Sequence, residues 1–187
     1  MKRVLFVISI FMLTITVSVQ AQRRLPGQQG FQATVGKVDK FDKTSIHAGA
    51  KLSQFTKNSH QWTFGAEYLR KNFHYRLQSI PVEQFTAEGG YYRTVLSDGG
   101  KTFFFTAGIS GMAGYELVNR DRNLLYDGST LLSKSKFLFG GAISFEVETY
   151  VFDQFILLTG FRQRILPGSS VNTFRSQFYL GIKLIIN

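Results

Sequence analysis

The sequence contains no cysteine. That removes disulfides, cysteine-ligated metals, thiol catalysis and a lipid-modified N-terminal cysteine. Histidine is scarce, with three residues, and proline equally so. Long hydrophobic runs are missing after residue 19, and mean hydropathy is close to zero. No later segment therefore reads as a membrane helix. Acidic residues are also few: 22 basic and 12 acidic side chains give a net charge of +10, and losing Lys2 and Arg3 with a leader leaves +8. What the chain does have is 19 Phe, 8 Tyr and 18 Gly in 187 residues, about one domain's length. Phe and Tyr suit the outer and interfacial positions of membrane strands, and Gly suits tight turns and crowded barrel walls. Barrel strands escape hydropathy scans because only alternate residues are apolar.

The first 21 residues read as a secretory signal peptide. Met1-Lys-Arg3 is a short basic start, Val4–Val19 is apolar apart from Ser and Thr, and Val19-Gln-Ala21 offers small residues for cleavage before Gln22. The competing reading is an uncleaved inner-membrane anchor, since the apolar stretch approaches a minimal helical span. Residues 22–29 are then expected as a periplasmic N-terminal segment, and residues 30–187 as a barrel domain.

The clearest pattern lies in Phe174–Ile186. Phe174, Ser176, Phe178, Leu180, Ile182, Leu184 and Ile186 alternate with Arg175, Gln177, Tyr179, Gly181, Lys183 and Ile185. A period of two is a strand with one apolar and one wetter face. Its length exceeds the about nine to eleven tilted residues that cross a bilayer. Tyr179–Ile186 also resembles the terminal insertion signal of bacterial outer-membrane proteins, although Asn187 stands where many of these end on an aromatic residue. Charging Leu180 or Ile182 is expected to block insertion, and changing Gln177 to be tolerated.

Seven further runs alternate: Gly30–Val38, Ser45–Ser53, Gln61–Leu69, Gln84–Tyr92, Thr102–Glu116, Phe137–Glu148 and Gln154–Ile165. Ile156 and Leu158 blur the last of these. The pattern predicts an all-β fold, an eight-stranded antiparallel up-and-down outer-membrane β-barrel with both termini periplasmic. Three links are short, Gln54–His60, Ser97–Lys101 and Thr149–Asp153. The alternate links are Asp39–Thr44, Arg70–Glu83, Leu117–Lys136 and Leu166–Thr173, of which Arg70–Glu83 and Leu117–Lys136 are expected as long external loops. Aromatics gather in two bands, with Trp62, Phe64, Tyr91, Phe103, Phe105 and Phe155 at one end and Tyr68, Phe85, Tyr115, Phe137, Phe139 and Phe174 at the other. Their competing reading is the core of a soluble β-protein.

The wetter faces carry Glu67, Glu88, Glu116, Glu146 and Glu148 together with Lys51, Arg162, Arg164 and Lys183. Inside a barrel this small these must form a buried ion-pair network. The functional alternative is a catalytic carboxylate pair, with Glu88 and Glu146 the candidates, but no nucleophile or base is placed beside them. His47, His60 and His74 fall on different ends of the strand map and read as isolated polar residues, not a metal or hydrolase site. Gly108, Gly111 and Gly114 sit inside a strand with no helix following, so they thin the wall and do not cradle phosphate. Basic residues such as Arg70, Lys71, Arg120, Arg122, Lys134 and Lys136 are spread among loops, which suits anionic lipopolysaccharide better than direct nucleic-acid binding.

Several segments resemble the TraO family, conjugal transfer proteins of conjugative transposons in Gram-negative gut bacteria. They are Gln22–Gly30, Thr86-Ala-Glu-Gly-Gly-Tyr91, Ala113-Gly-Tyr-Glu-x-x-Asn-Arg120, Leu125-Tyr-Asp-Gly128, and Phe145–Tyr150 with Asp153-Gln-Phe155. The resemblance implies an envelope component of the mating apparatus working with other transfer proteins. It carries over no catalytic, metal or cofactor residues. The expected function is thus a non-enzymatic outer-membrane part that anchors or docks partners, through the external loops or through Gln22–Gln29. Other classes remain open at this point. One is an outer-membrane lipid-modifying enzyme with His47 or His74 on the lipid-facing rim. Others are a surface adhesion protein and a soluble periplasmic barrel with an apolar interior.

Overall fold

The computed structural model describes residues 24–38, 45–75, 78–119, 135–170 and 172–186. The leader, the 39–44 link, most of the Leu117–Lys136 link and the Leu125–Gly128 motif lie outside the described residues. Eight antiparallel strands close into a barrel in sequence order: β1 (Gln29–Val38), β2 (Ser45–Phe55), β3 (Gln61–Tyr75), β4 (Gln78–Ser97), β5 (Phe103–Val118), β6 (Lys136–Phe152), β7 (Phe155–Ile165) and β8 (Phe174–Ile185). Closure is made by β1 against β8, from Gly30 opposite Ile185 to Val38 opposite Gln177. The end holding Gln29 and Ile185 is termed the base, and the opposite end the top.

The period of two resolves into an inside-out protein. Outward positions carry the large apolar side chains: Val35, Leu52, Phe64, Phe85, Ile109, Phe139, Leu180 and Ile182 are all exposed. Inward positions carry Lys51, Glu67, Glu88, Glu146, Glu148, Arg162, Arg164 and Lys183, all buried. A soluble barrel needs the reverse, so this polarity rules out the reading with an apolar interior and a polar exterior. The aromatic bands also face outward and pair across strands. Trp62 meets Tyr91 at 4.9 Å, Tyr68 meets Phe85 at 5.0 Å and Tyr115 meets Phe137 at 5.3 Å between ring centroids. Each pair sits at directly opposed register positions.

Several boundaries differ from those expected, and two of the differences change the architecture. Arg70–Glu83 is not a long loop. The β3–β4 ladder continues through Arg70 opposite Glu83 to Tyr75 opposite Gln78. The pairing of β2 with β3 stops at Lys71 and that of β4 with β5 stops at Val82. Residues 72–75 and 78–81 thus stand above the wall as a two-stranded ribbon. Pro81, which reads as a strand breaker, fits there because it has no N–H to give and its outer side faces no partner strand. At the base, β6 runs on to Phe152 with a register shift near Tyr150, leaving the turn to Asp153 and Gln154.

Inside the wall, two glycines make room for rings. A Cβ on Gly108 would collide with the Tyr92 ring, and one on Gly160 with the Tyr179 ring. These are directly opposed pairs, Tyr92 with Gly108 and Tyr179 with Gly160. Each tyrosine lies over the bare backbone of its neighbour and delivers its hydroxyl to the centre of the barrel. Gly114, whose Cβ would meet the Phe85 carbonyl, and outward Gly111 fit the thin-wall reading of that glycine run.

Candidate functional site

Inward alternation brings the charged residues of β2 to β8 onto one axis, where they form three layers. In the middle layer Arg162 of β7 donates from Nη1 to Glu67 Oε2 at 3.1 Å and to Glu88 Oε2 at 3.0 Å. Its Nε reaches Ser144 and its Nη2 reaches the Tyr92 hydroxyl. Arg164 donates to Glu67 Oε1 at 2.7 Å, and Lys51 pairs with Glu88 at 2.5 Å. Tyr179 donates its hydroxyl to Glu146 at 2.6 Å. Glu67 also takes the Gln177 amide at 2.9 Å. Gln177 is fully buried, which argues against the expectation that it tolerates change. Its position on the wetter face is an interior hydrogen-bonding position, not a wet one.

The base layer contains a residue that strand periodicity does not reveal. Arg24, ahead of β1, turns into the barrel mouth. Its guanidinium donates to Glu148 Oε2 at 2.7 Å and lies over the Phe104 ring, 3.7 Å from the centroid. Lys183 holds the other oxygen of Glu148 at 2.9 Å, and Gln61 donates to the same oxygen at 3.1 Å. Phe55, Phe104, Tyr150, Ile156 and Ile185 form an apolar collar around this group. Ile156 and Leu158, which blur the alternation of β7, are thus buried at the base. The backbone locks the segment as well, with Gly27 N–H donating to Phe55 and Phe55 N–H to Gln28. Residues 24–28 are therefore engaged with the barrel rather than extended away from it.

The top layer is closed by the link after β7. Glu116 accepts from Ser169 Oγ at 2.7 Å and from the Ser170 N–H at 2.9 Å, and also from the Gln84 amide. Arg175 donates to Gln84 at 2.6 Å and to the Asn172 carbonyl at 3.1 Å. Arg175 was legible as an inward residue of the terminal strand, but its share in the network follows only once Ser169 and Gln84 are seen beside it.

All the charged residues expected in the network are inside, and Arg24, Arg175 and Gln177 join them. The histidines do not converge. His47 is buried in the interior, edge-on to Tyr179 at 6.0 Å. His60 sits in the base turn between β2 and β3 and accepts the Thr94 N–H on Nδ1 at 3.1 Å. His74 falls in β3, opposite Ser79. Among the described residues no three His, Asp or Glu side chains gather as a metal site. Chemically, the interior is a lattice of ion pairs and hydrogen bonds: it fixes the wall and fills the axis.

Solved structures share this architecture. Ail, the attachment invasion locus protein of Yersinia pestis, solved in complex with the heparin analogue sucrose octasulfate, matches with a TM-score of 0.56 at 9% identity, covering 86% of this chain and 99% of that one. Neisserial surface protein A matches at 0.53 with 15% identity, covering 84% and 95%. The N-terminal β-barrel domain of Pseudomonas aeruginosa OprF matches at 0.52 with 9% identity, covering 86% and 98%. At such identities the likeness is one of fold, the eight-stranded outer-membrane barrel. No curated protein sequence matches the chain. A family model does, over residues 25–186, nearly the whole described barrel. On that match the chain belongs to the family of the conjugative transposon protein TraO.

Proposed function

We propose that this protein is a non-enzymatic outer-membrane component of a conjugative mating apparatus, and that it anchors or docks partner proteins without conducting DNA. The observation that carries this is the filled axis. Three layers of ion pairs, with Arg24 at the base and Glu116–Ser169 at the top, occupy the axis, which supports a barrel that passes no nucleic-acid strand. An eight-stranded barrel is in any case only wide enough to be filled by its own side chains. Family membership supports a role in transfer alongside other conjugation proteins.

In this reading residues 1–21 are a cleaved export signal, the base faces the periplasm and the top faces outward. The β3–β4 ribbon then stands above the outer leaflet, where it meets partner proteins or lipopolysaccharide. The lipid-enzyme alternative asks for His47 or His74 on the lipid-facing rim, and the burial of His47 inside the barrel weighs against it.

The test is a deletion strain scored for transfer frequency, complemented with the parent gene. Affinity capture from detergent-solubilised donor envelopes accompanies it. Loss of transfer restored by the parent, with transfer proteins co-purifying, is the expected result. Transfer at the parental frequency in the deletion strain would overturn the conjugation role. A large stable conductance from the purified protein in planar bilayers would overturn the docking mechanism.

A further inference from the structure

The outer wall is not uniformly filled. A groove of about 650 Å³ crosses β7, β8, β1 and β2 in their upper halves, lined by Thr159, Leu180, Phe178, Val35, Ile46 and Lys37. Its size falls within the usual range for small-ligand sites, about 300–1,000 Å³. Its cause is local. Thr159 is a small outward residue where Leu157, two positions nearer the base, presents a large one. The dent therefore lies between the exposed side chains of Val35, Ile46, Phe178 and Leu180.

The groove is apolar except at its upper rim. There Lys37, on the outward face of β1 and opposite Phe178, is exposed and has no carboxylate partner among the described residues. Gly36 is opposite His47, so Lys37 stands across from Ile46, and Ile46 is in turn opposite Arg70. Two cations thus flank Ile46 near the upper ends of β1 and β3. Arg70 has Glu83 across from it, and that carboxylate takes the Tyr68 hydroxyl at 3.2 Å. An ammonium with no carboxylate partner among the described residues, at the lip of an apolar groove on a lipid-facing wall, matches a ligand with a fatty tail and an anionic head. Charge-assisted bonds from Lys or Arg to phosphate are the strong form of that contact.

We propose that this groove binds the phosphorylated, multiply acylated lipid of the outer leaflet, lipid A. One acyl chain would lie between Phe178, Leu180 and Val35, and a glucosamine phosphate would lie on Lys37 with Arg70 as second donor. The assignment rests on the orientation given under Proposed function, because only with the base in the periplasm does the Lys37 end reach the outer leaflet. Arg70 is the weaker of the two donors because Glu83 competes for it.

The test uses the full mature chain purified from outer membranes in a mild detergent. Binding of bisphosphorylated hexa-acyl lipid A is measured by native mass spectrometry, with phosphatidylglycerol as competitor. Lys37→Gln removes the charge and Thr159→Trp fills the groove, while Lys101→Gln in a base turn serves as control. Heat-modified gel mobility shows that each variant is folded. The site predicts that Lys37→Gln and Thr159→Trp each weaken binding about tenfold or more. Lys101→Gln should bind as the parent, and phosphatidylglycerol should compete poorly. Parental binding by the folded Lys37→Gln and Thr159→Trp proteins, or equal competition by phosphatidylglycerol, would overturn the site and leave the barrel and its transfer role standing. Labelling of whole cells that places the Lys37 end in the periplasm would overturn the orientation itself, whatever the binding result.

Discussion

Replacing Arg24 with alanine withdraws the cation that closes the base. The ion pair to Glu148, the stacking on Phe104 and the bond to the Tyr150 hydroxyl are lost together, and the first two dominate. The guanidinium stacked 3.7 Å above Phe104 in a desolvated site contributes about 2 kcal/mol. Breaking a fully buried ion pair by truncating one partner costs about 3–5 kcal/mol. Glu148 is not stranded, however, because Lys183 and Gln61 still hold its other oxygen. The combined loss should therefore sit near about 3 kcal/mol, below the simple sum of the two. With a urea slope of about 1–3 kcal/mol/M, the unfolding midpoint of the barrel in lipid vesicles should fall by at least about 1 M. Trp62, the only tryptophan, lies on the outer wall near the base and reports the transition by fluorescence. Arg24→Lys keeps the charge without the planar fork and should lose roughly half as much. In a double-mutant cycle, Arg24→Met with Glu148→Gln should cost less than the two single changes added, by about 1–3 kcal/mol. An unchanged midpoint for Arg24→Ala, or zero coupling in the cycle, would mean that the segment ahead of β1 does not occupy the mouth.

Four further outcomes follow from the same structure. Gln177→Leu deletes the amide that Glu67 accepts and should cost about 1–3 kcal/mol in the same urea assay, despite lying on a strand whose outer face governs insertion. Ile182→Arg puts a charge on the outer wall and should cost about 2–4 kcal/mol near mid-bilayer, read as reduced folded fraction on unheated gels. Gly160→Val must displace the Tyr179 ring and so disturb Glu146; a loss of about 1–3 kcal/mol is expected, and Gly160→Val combined with Tyr179→Phe should not add fully. His60, in the base turn, has its pKa lowered from 6.5, first by partial burial and then by the Arg93 cation. The folded turn therefore favours the neutral ring: this share of stability is complete above pH 6.5 and declines as pH falls below it toward the folded value. Urea midpoints between pH 7.5 and 5.5 should drop more for the parent than for His60→Gln.

The strands were legible because lipid and salt lattice impose opposite demands on alternate residues, and that contrast is written directly into β5 as Phe103, Phe105, Ala107 and Ile109 against Thr106, Gly108 and Ser110. The ion network was legible for the same reason, since Glu67 and Arg162 recur at inward positions of long alternating runs. Arg24 was not, because it precedes the first alternating residue and its partner lies 124 positions away. Its basic neighbour Arg23 and the loop-like Pro26-Gly27 make it look like any solvated charge. The β3–β4 ribbon was hidden by composition: Arg70, Lys71 and Asn72 followed by Pro81 resemble a loop, and only pairing with the other half of the hairpin makes them strand. The lipid-facing groove left no trace in periodicity either, since Thr159 keeps the alternation while changing only side-chain size.

The salt lattice also has a meaning for how the molecule is made. Its bonds join residues far apart in sequence: Glu67 to Arg164 across 97 positions, Glu67 to Gln177 across 110, and Arg24 to Glu148 across 124. The first six strands hold five buried carboxylates, Glu67, Glu88, Glu116, Glu146 and Glu148, against Lys51 and Lys71, so a sheet still lacking β7 and β8 would carry naked charges on the face that later becomes the axis. Assembly is thereby forced toward a single concerted event in which the first and last strands meet while the sheet is still entering lipid. Shortened chains lacking β8 would not settle into a smaller barrel. They would remain outside the membrane and be cleared, and the bilayer itself would act as the inspector of completeness.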